Sequence, residues 1–274
     1  MTAKVVAGCP VHTRAWCLPD YLRCLDSQTR VPDGYCFVVN DSEDNSDKIL
    51  YDWGKGRVHI LNLGIVADAG RSQLKRRKNR IYERLAITRN KLMEIAFEEM
   101  GADYLLSADC DIMLPKYTLE KLLEVKKDSV ACIISNHPAG RLFATNNAIL
   151  GVPEKWSPNA PPRSWTAVNP ARNGDLVKVN YTGAAYLISR RLYESDVRYS
   201  YYTGEEGIRA TDPQGEDYFF CKSAMEKGIE LWVRTDCVAF HCMREESLEE
   251  KVQRCKMYDE MGFDSLEMSS CLVL

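Results

Sequence analysis

Residues 84 to 115 read RLAITRNKLMEIAFEEMGADYLLSADCDIMLP, and this stretch decides the fold. Leu85, Leu92, Ile95, Ala96 and Met100 recur at the three-and-four spacing that lays apolar side chains along one stripe of an α-helix, here read from about Ile81, and Gly101 stops it. Tyr104 to Ala108 follows as a short apolar strand that runs directly into Asp109-Cys110-Asp111. After Pro115 an amphipathic helix from Leu119 to Lys127 leads to the apolar strand Val130 to Ser135. Helix and strand in alternation mark a mostly parallel sheet wound by helices on both faces, an α/β architecture of the Rossmann-like kind.

Towards the N-terminus the alternation continues. Lys4 to Gly8 is a β-branched strand, Trp16 to Ser27 carries leucines at helical spacing, and Pro32-Asp33-Gly34 is a turn. Tyr35 to Asn40 is a second strand that breaks at the polar run DSEDNSD, and Arg57 to Leu63 is a third. Beyond Asn136 the pattern changes to short extended pieces, Leu142 to Leu150 and Val177 to Ile188, separated by VPEKWSPNAPPRSW. This half is expected to be mixed, with antiparallel strands over the carboxyl edge of the parallel sheet. A helix from Gln214 to Lys227, strands Glu230 to Arg234 and Cys237 to His241, and a charged helix from Ser247 to Met261 complete the reading.

Lysine and arginine total 36 against 39 acidic residues, a net charge of -3, so bulk charge predicts no affinity for polyanions. The local exception is RSQLKRRKNR, residues 71 to 80, with six cations and no anion. It is expected in a loop, with residues 66 to 79 closing over bound phosphate; its alternative is a grip on nucleic acid or an anionic surface. No run approaches the roughly 20 apolar residues that cross a bilayer, and MTAKVVAGCP lacks a signal-peptide core, so a cytoplasmic protein without stable membrane insertion is expected. Eleven cysteines, an odd number in a chain of 274 residues, read as reduced and mostly buried thiols. No CxxC pair occurs, and Cys237, His241 and Cys242 lack a second pair, so no structural zinc is expected. Cys271 to Leu274 spells a prenylation box, but behind an acidic segment it reads as an apolar tail.

The acidic pair carries the chemistry. On an extended chain Asp109 and Asp111 point to one side and Cys110 to the other, at the carboxyl edge where open α/β sheets bind ligands. Two adjacent carboxylates repel unless a cation lies with them, and a hard divalent ion with phosphate oxygens in its shell fits that need. Capping aspartates in a solvated turn are the other reading of the same residues.

AGCPVHTR (7 to 14), VVNDSEDNSD (38 to 47), the stretch quoted first, NYTGAAYLISRRLYE (180 to 194) and GEDYFFCKSAMEKGIELWVRTDCVAFH (215 to 241), in that order, resemble a metal-dependent glycosyltransferase of the GT-A fold, closest in style to family 2 and related bacterial and phage enzymes. The resemblance spans about residues 4 to 242. It implies one domain over 1–274: a nucleotide-sugar half over 1–135, an acceptor half over 136–245, and a C-terminal helix and tail over 246–274. It implies a UDP- or GDP-sugar donor, a Mn2+ or Mg2+ ion on Asp109, Asp111 and His241, and donor contacts from Pro10, His12, Arg14, Asp41, Arg89, Asn90, Asp109 and Cys110. NDSE departs from the pattern of paired aspartates in many relatives and leaves the base open. Arg89 is implied near the phosphates, with a pairing to Glu94 or Asp109 as its structural alternative. Asp217 would be the base of an inverting transfer, with Glu216 as fallback or as a residue that orients the acceptor. Asp212-Pro213 in front of them reads equally as a helix start.

On the acceptor side the resemblance puts Trp165, Gly183, Ala184 and Glu216, with Trp156, Tyr201 and Tyr202 as further stacking or core aromatics. The acceptor is a saccharide, a lipid carrier, a peptide or a modified nucleobase. A retaining transfer is the alternative outcome on this fold. A nucleotidyltransferase, the rival enzyme class, needs a glycine-rich phosphate loop, and AGCPVHTR has one glycine.

Overall fold

Seven residues, Gly34–Asn40, are all buried, as expected of a central strand covered on both faces. This strand is β2, and it lies between β1 (Val5–Val11) and β3 (Val58–Leu63) with both neighbours parallel to it. The computed structural model describes residues 3–54, 58–64, 74–135, 148–150, 165–169, 171–201, 215–247, 249–253 and 256. Its helices among the described residues include α1 (Leu18–Asp26), α2 (Ser46–Gly54), α3 (Leu74–Glu94), α4 (Thr118–Glu124), α5 (Arg190–Glu194) and α6 (Glu216–Glu226), and residues 249–253, within the helix expected from Ser247, are helical as well. The other strands are β4 (Tyr104–Ala108), β5 (Ile112–Met113), β6 (Ser129–Ser135), β7 (Ala148–Leu150), β8 (Trp165–Ala167), β9 (Leu176–Val179), β10 (Ala185–Ser189) and β11 (Leu231–His241).

The main sheet runs β3-β2-β1-β4-β10-β6-β11-β5, with β9 also on β11, and β7 pairs with β8 separately. β10 is antiparallel to β4 and β6, while β6 and β11 are parallel. The doubly wound α/β expectation therefore holds for the first half. In the second half the antiparallel strand lies inside the sheet instead of over its edge. Val177 to Ile188 does not form one extended piece: β9 pairs with β11, the strand breaks at residues 180 to 184, and Ala185–Ser189, buried throughout, fills the gap between β4 and β6 in the same direction as β9. Conversely, the two strands expected over 230–241 are one strand with a bulge, because Arg234 pairs with Cys132 and Val238 with the next residue, Ile133.

α3 begins at Leu74, seven residues ahead of expectation. Residues 74–80 of the basic run are therefore helical, since lysine and arginine are good helix formers and no glycine or proline interrupts them; residues 71–73 lie outside the described residues. At its other end α3 passes into a π-helical turn, Ile95–Glu99, closed by Met100 N–H donating to Ile95 O at 2.9 Å. Gly101, at φ 66°, ends it as a left-handed cap. α2 falls in the polar stretch that the sequence reading left unassigned.

Nine cysteines among the described residues are buried thiols that take part in no disulfide there. Among the described residues no helix is long and apolar enough to cross a membrane. The tail box at 271–274, most of the 152–165 segment and Asp212-Pro213 lie outside the described residues.

Because β10 is antiparallel, its start lies at the same edge as the ends of β1, β2, β4, β6 and β11. Five loops meet there: 12–17, 41–45, 109–111, 181–184 and 242–245.

Candidate active site

Three non-glycine residues with left-handed φ sit on this edge, Thr13 at 51°, Asp41 at 46° and Ala184 at 69°. Such backbone persists only where surrounding contacts over-determine it. The loops after β1 and β2 supply those contacts. His12 Nδ1–H donates to Asn40 O at 2.6 Å, Thr13 N–H to Ser42 Oγ at 3.0 Å, Arg14 N–H to Ser46 Oγ at 2.9 Å and Ala15 N–H to Asp44 Oδ2 at 2.9 Å. Partial burial would push the Asp44 carboxyl up, but donors from Ser46 and Ala15 hold it below the ordinary carboxylate range. Asp44 thus knits the two loops together, and Asp41 opens the second directly after β2.

Beside these loops Arg14, Asp111 and His241 converge. Arg14 Nε is 3.5 Å and His241 Nε2 3.6 Å from Asp111 Oδ2. Burial opposes ionisation of Asp111, yet the hydrogen bond and charge of His241 together with Arg14 hold its carboxyl below the usual range. β11 brings His241 here through its pairing with Ile112, and Cys242 N–H donates to Asp111 O at 2.7 Å. The three line a pocket of about 430 Å³ with Trp16, Met243, Arg244 and Glu245. Sequence reading missed these last four. Trp16 and Arg244 stand two and three residues beyond Arg14 and His241, so the signal lay in continuing past each motif's final residue.

Asp109 goes elsewhere. β4 ends at Ala108, and residues 109–111 turn, with Ile112 N–H donating to Asp109 O at 2.8 Å. The extended geometry that would point Asp109 and Asp111 to one side therefore does not apply. Asp109 pairs with Arg89, whose Nη2 donates to Oδ2 at 2.9 Å while Nη1 lies 2.9 Å from Oδ1 without a hydrogen bond. Cys110, 3% exposed, turns into the protein beside Cys17 and Cys9, whose hydrogen bonds hold its thiol down at about 6.

Arg89 itself is 3% exposed. Its Nε donates to Glu216 Oε1 at 3.2 Å and lies 4.0 Å from Asp217 Oδ1, and its guanidinium sits 5.7 Å from the Tyr199 ring centroid. One cation thus faces three carboxylates. Asp217 Oδ1 is buried and finds no hydrogen-bond partner among the described residues. Burial, with the neighbouring Glu216 charge, pushes the Asp217 carboxyl up to about 8. α6 starts at Gly215 without a side-chain cap, and both carboxylates occupy its first turn, near the positive end of the helix dipole. Glu216 is 4% exposed and committed to Arg89, so in this structure it faces the protein.

The remaining expected residues have clear places. Pro10 lies near the end of β1, half-buried. Asn90 holds the backbone of Tyr199 on both sides, donating from Nδ2 to Tyr199 O and accepting at Oδ1 from Tyr199 N–H, each at 2.9 Å. Ala184 O accepts from Asp109 N–H at 2.8 Å, which ties the β10 start to the acidic turn. Gly183 lies against the Asp217 carboxylate. Trp165 is in β8, Tyr201 donates to Glu83 Oε1 at 2.7 Å, and Trp156 and Tyr202 lie outside the described residues.

Among the described residues no three His, Cys, Asp or Glu side chains gather as an ion site. Asp111 and His241 do fit as a pair of ligands, an oxygen and a nitrogen bordering a pocket with room for further donors. Asp109, neutralised by Arg89, does not join them.

No family model and no curated protein sequence matches the chain. Solved structures do. TarS 1–349 from S. aureus superposes with a TM-score of 0.52 at 15% identity, over 96% of this chain and 65% of its own. A mannosyltransferase from Pyrobaculum calidifontis, in complex with GDP-Man and Mn2+, does so with a TM-score of 0.52 at 12% identity, over 93% of this chain and 62% of its own. The fold is GT-A. The TarS fragment bound to UDP matches at a TM-score of 0.50 and 14% identity, over 96% of this chain and again 65% of that one. The chain thus spans a little under two thirds of these relatives. In the GT-A frame the Arg14–Asp111–His241 pocket and the Arg89–Glu216–Asp217 cluster lie at the carboxyl edge of the sheet, on either side of the 109–111 turn.

Proposed function

We propose that this chain is a glycosyltransferase that moves a sugar from a UDP- or GDP-sugar to an acceptor hydroxyl or other nucleophile, with inversion at the anomeric carbon. The observation that carries the reading is Asp217: a single carboxylate with a buried, unbonded oxygen, pushed up to about 8. Such a group takes up a proton more readily than an ordinary aspartate does, which is the property a general base needs.

The pocket lined by Arg14, Arg244, Asp111 and His241 supports the donor side of the reading. Arg14 and Arg244 carry charge that suits a diphosphate, and the Arg14 fork matches oxyanion geometry. Asp111 and His241 would hold a divalent cation, Mn2+ or Mg2+; when bound, such an ion neutralises charge on the leaving diphosphate. The strained Asp41 and Thr13 fix the walls of the base and ribose site. Asp217 would receive the proton of the acceptor nucleophile as it attacks, and Glu216 would keep Arg89 in place beneath it.

A panel of UDP- and GDP-sugars with Mn2+, scored by mass spectrometry for hydrolysis and by thermal shift for binding, tests the reading. Stabilisation by one donor and slow release of its nucleoside diphosphate is the expected result. No shift with any donor would sink it.

A further inference from the structure

We propose that Arg89 is a positioning residue that joins the acidic turn 109–111 to the start of α6, and that it is not a ligand of the donor phosphates. Its geometry assigns it this work. Nη2 donates to Asp109 Oδ2 at 2.9 Å and Nε to Glu216 Oε1 at 3.2 Å, while Nη1, buried and without a hydrogen bond among the described residues, stands 2.9 Å from Asp109 Oδ1 as an ion-pair contact. One face is covered by Tyr199, and Tyr199 is itself pinned by Asn90, the residue next to Arg89. At 3% exposure the guanidinium has little surface to offer a phosphate. A phosphate would have to enter this buried place and compete with the Asp109 and Glu216 carboxylates for the cation.

The three residues come from elements far apart in sequence. Arg89 is in α3, Asp109 follows β4, and Glu216 opens α6, at sequence separations of 20 and 127 from Arg89. A second link runs parallel to the first, since Asp109 N–H bonds Ala184 O, and Gly183, adjacent to Ala184, abuts Asp217. Arg89 therefore sets where the Asp217 carboxylate stands relative to the 109–111 turn. In the transferase reading, on which the kinetic part of this inference rests, that spacing is the distance between donor and base. Positioning of this kind affects the chemical step more than ground-state binding.

The test uses Arg89→Lys, which keeps the charge but lacks the planar set of donors that bonds Asp109 and Glu216 at once, and Asp109→Asn, which leaves the arginine in place. Hydrogen exchange of the whole chain without ligand is the first readout. Arg89→Lys is expected to speed exchange at Asp109 and Ile112 and also at Tyr218 and Phe219. Asp109→Asn is expected to reach the same α6 amides, and the double variant should add little beyond either single one. Acceleration confined to one of the two segments overturns the proposal. If Arg89→Lys does not fold, the effect of Asp109→Asn on Tyr218 and Phe219 decides alone.

The second readout is calorimetry with UDP and GDP in the presence of Mn2+, beside turnover of the corresponding sugars. Arg89→Lys should keep the nucleotide Kd within about threefold and lower kcat by about a hundredfold or more. A Kd raised about tenfold or more makes Arg89 a phosphate ligand and overturns the proposal. Should the wild-type chain bind neither nucleotide, the transferase reading fails, while hydrogen exchange still decides whether Arg89 couples the two segments.

Discussion

Gly183 and Asp217 share one seat: a Cβ built on residue 183 would stand 2.3 Å from Asp217 Oδ2 and 2.7 Å from its Cγ. The small residue there makes room for a carboxylate, whereas the resemblance placed it on the acceptor side. Any side chain at 183 must push Asp217 off its place.

Gly183→Ala is therefore expected to turn the Asp217 carboxylate away and lower turnover by about tenfold to a hundredfold. The cost to folding should stay near about 1–2 kcal/mol, because the clash falls on the end of a side chain and not on backbone. Thermal melts beside donor turnover measure the two effects, and an unchanged turnover would remove Asp217 from the chemistry.

Asp217→Asn keeps the shape and removes the basicity, so transfer should fall by about a hundredfold or more with donor affinity nearly intact. For the wild type, activity should climb with pH towards about 8, since only the ionised carboxylate accepts a proton. The same shift makes a stability statement. Because the folded value of Asp217 is raised, the unfolded chain releases this proton near the ordinary carboxylate range, while the folded chain keeps it up to about 8. Stability from this group is present at low pH and lost as pH rises through that window. The Asn variant, which does not titrate, should thus gain on wild type between about pH 4 and 8, by an amount on the order of 1–3 kcal/mol. Denaturant melts across that range would show equal gaps at all pH values if Asp217 did not titrate there.

Asp111→Asn and His241→Gln each remove one of the two pocket-lining side chains proposed to hold the ion. Each should weaken Mn2+-dependent nucleotide binding by about tenfold or more, and EDTA should abolish turnover. Calorimetry with UDP or GDP, with and without Mn2+, checks this. Full turnover in EDTA would exclude the ion from the reaction.

With one base beneath the acceptor, the product's anomeric configuration should be opposite to the donor's. Proton NMR of the first-formed product reads this directly. Retained configuration would shift the chemistry to groups that stabilise the departing sugar in place.

Much of this site was legible in the chain. β1, β2, β4 and β6 announce themselves as apolar runs because parallel strands are covered on both faces, and the helix before Gly101 does so by its periodicity. The acidic pair, the Glu216-Asp217 helix start and the strand-end His241 were visible as residue types at element ends. Partnership was not visible. Asp109 and Asp111, two apart, look like one unit, yet a turn sends the first to Arg89 and the second to Arg14 and His241. Asn90, taken for a nucleotide contact, is spent on holding Tyr199.

What the sequence determined by itself is local and periodic: which segments bury a face, where helices start and stop, and which charged residues stand at strand ends. These depend on neighbours within a few residues, so one chain read in order contains them. Tertiary structure alone decided that β10 enters the sheet between β4 and β6, that the Asp217 carboxylate rests on Gly183, and that one buried guanidinium serves carboxylates from two distant elements. Such contacts join residues separated by 20 to 127 positions. Their free energy comes from burial and charge pairing that exist only once the chain has closed on itself, and no spacing in the sequence records them.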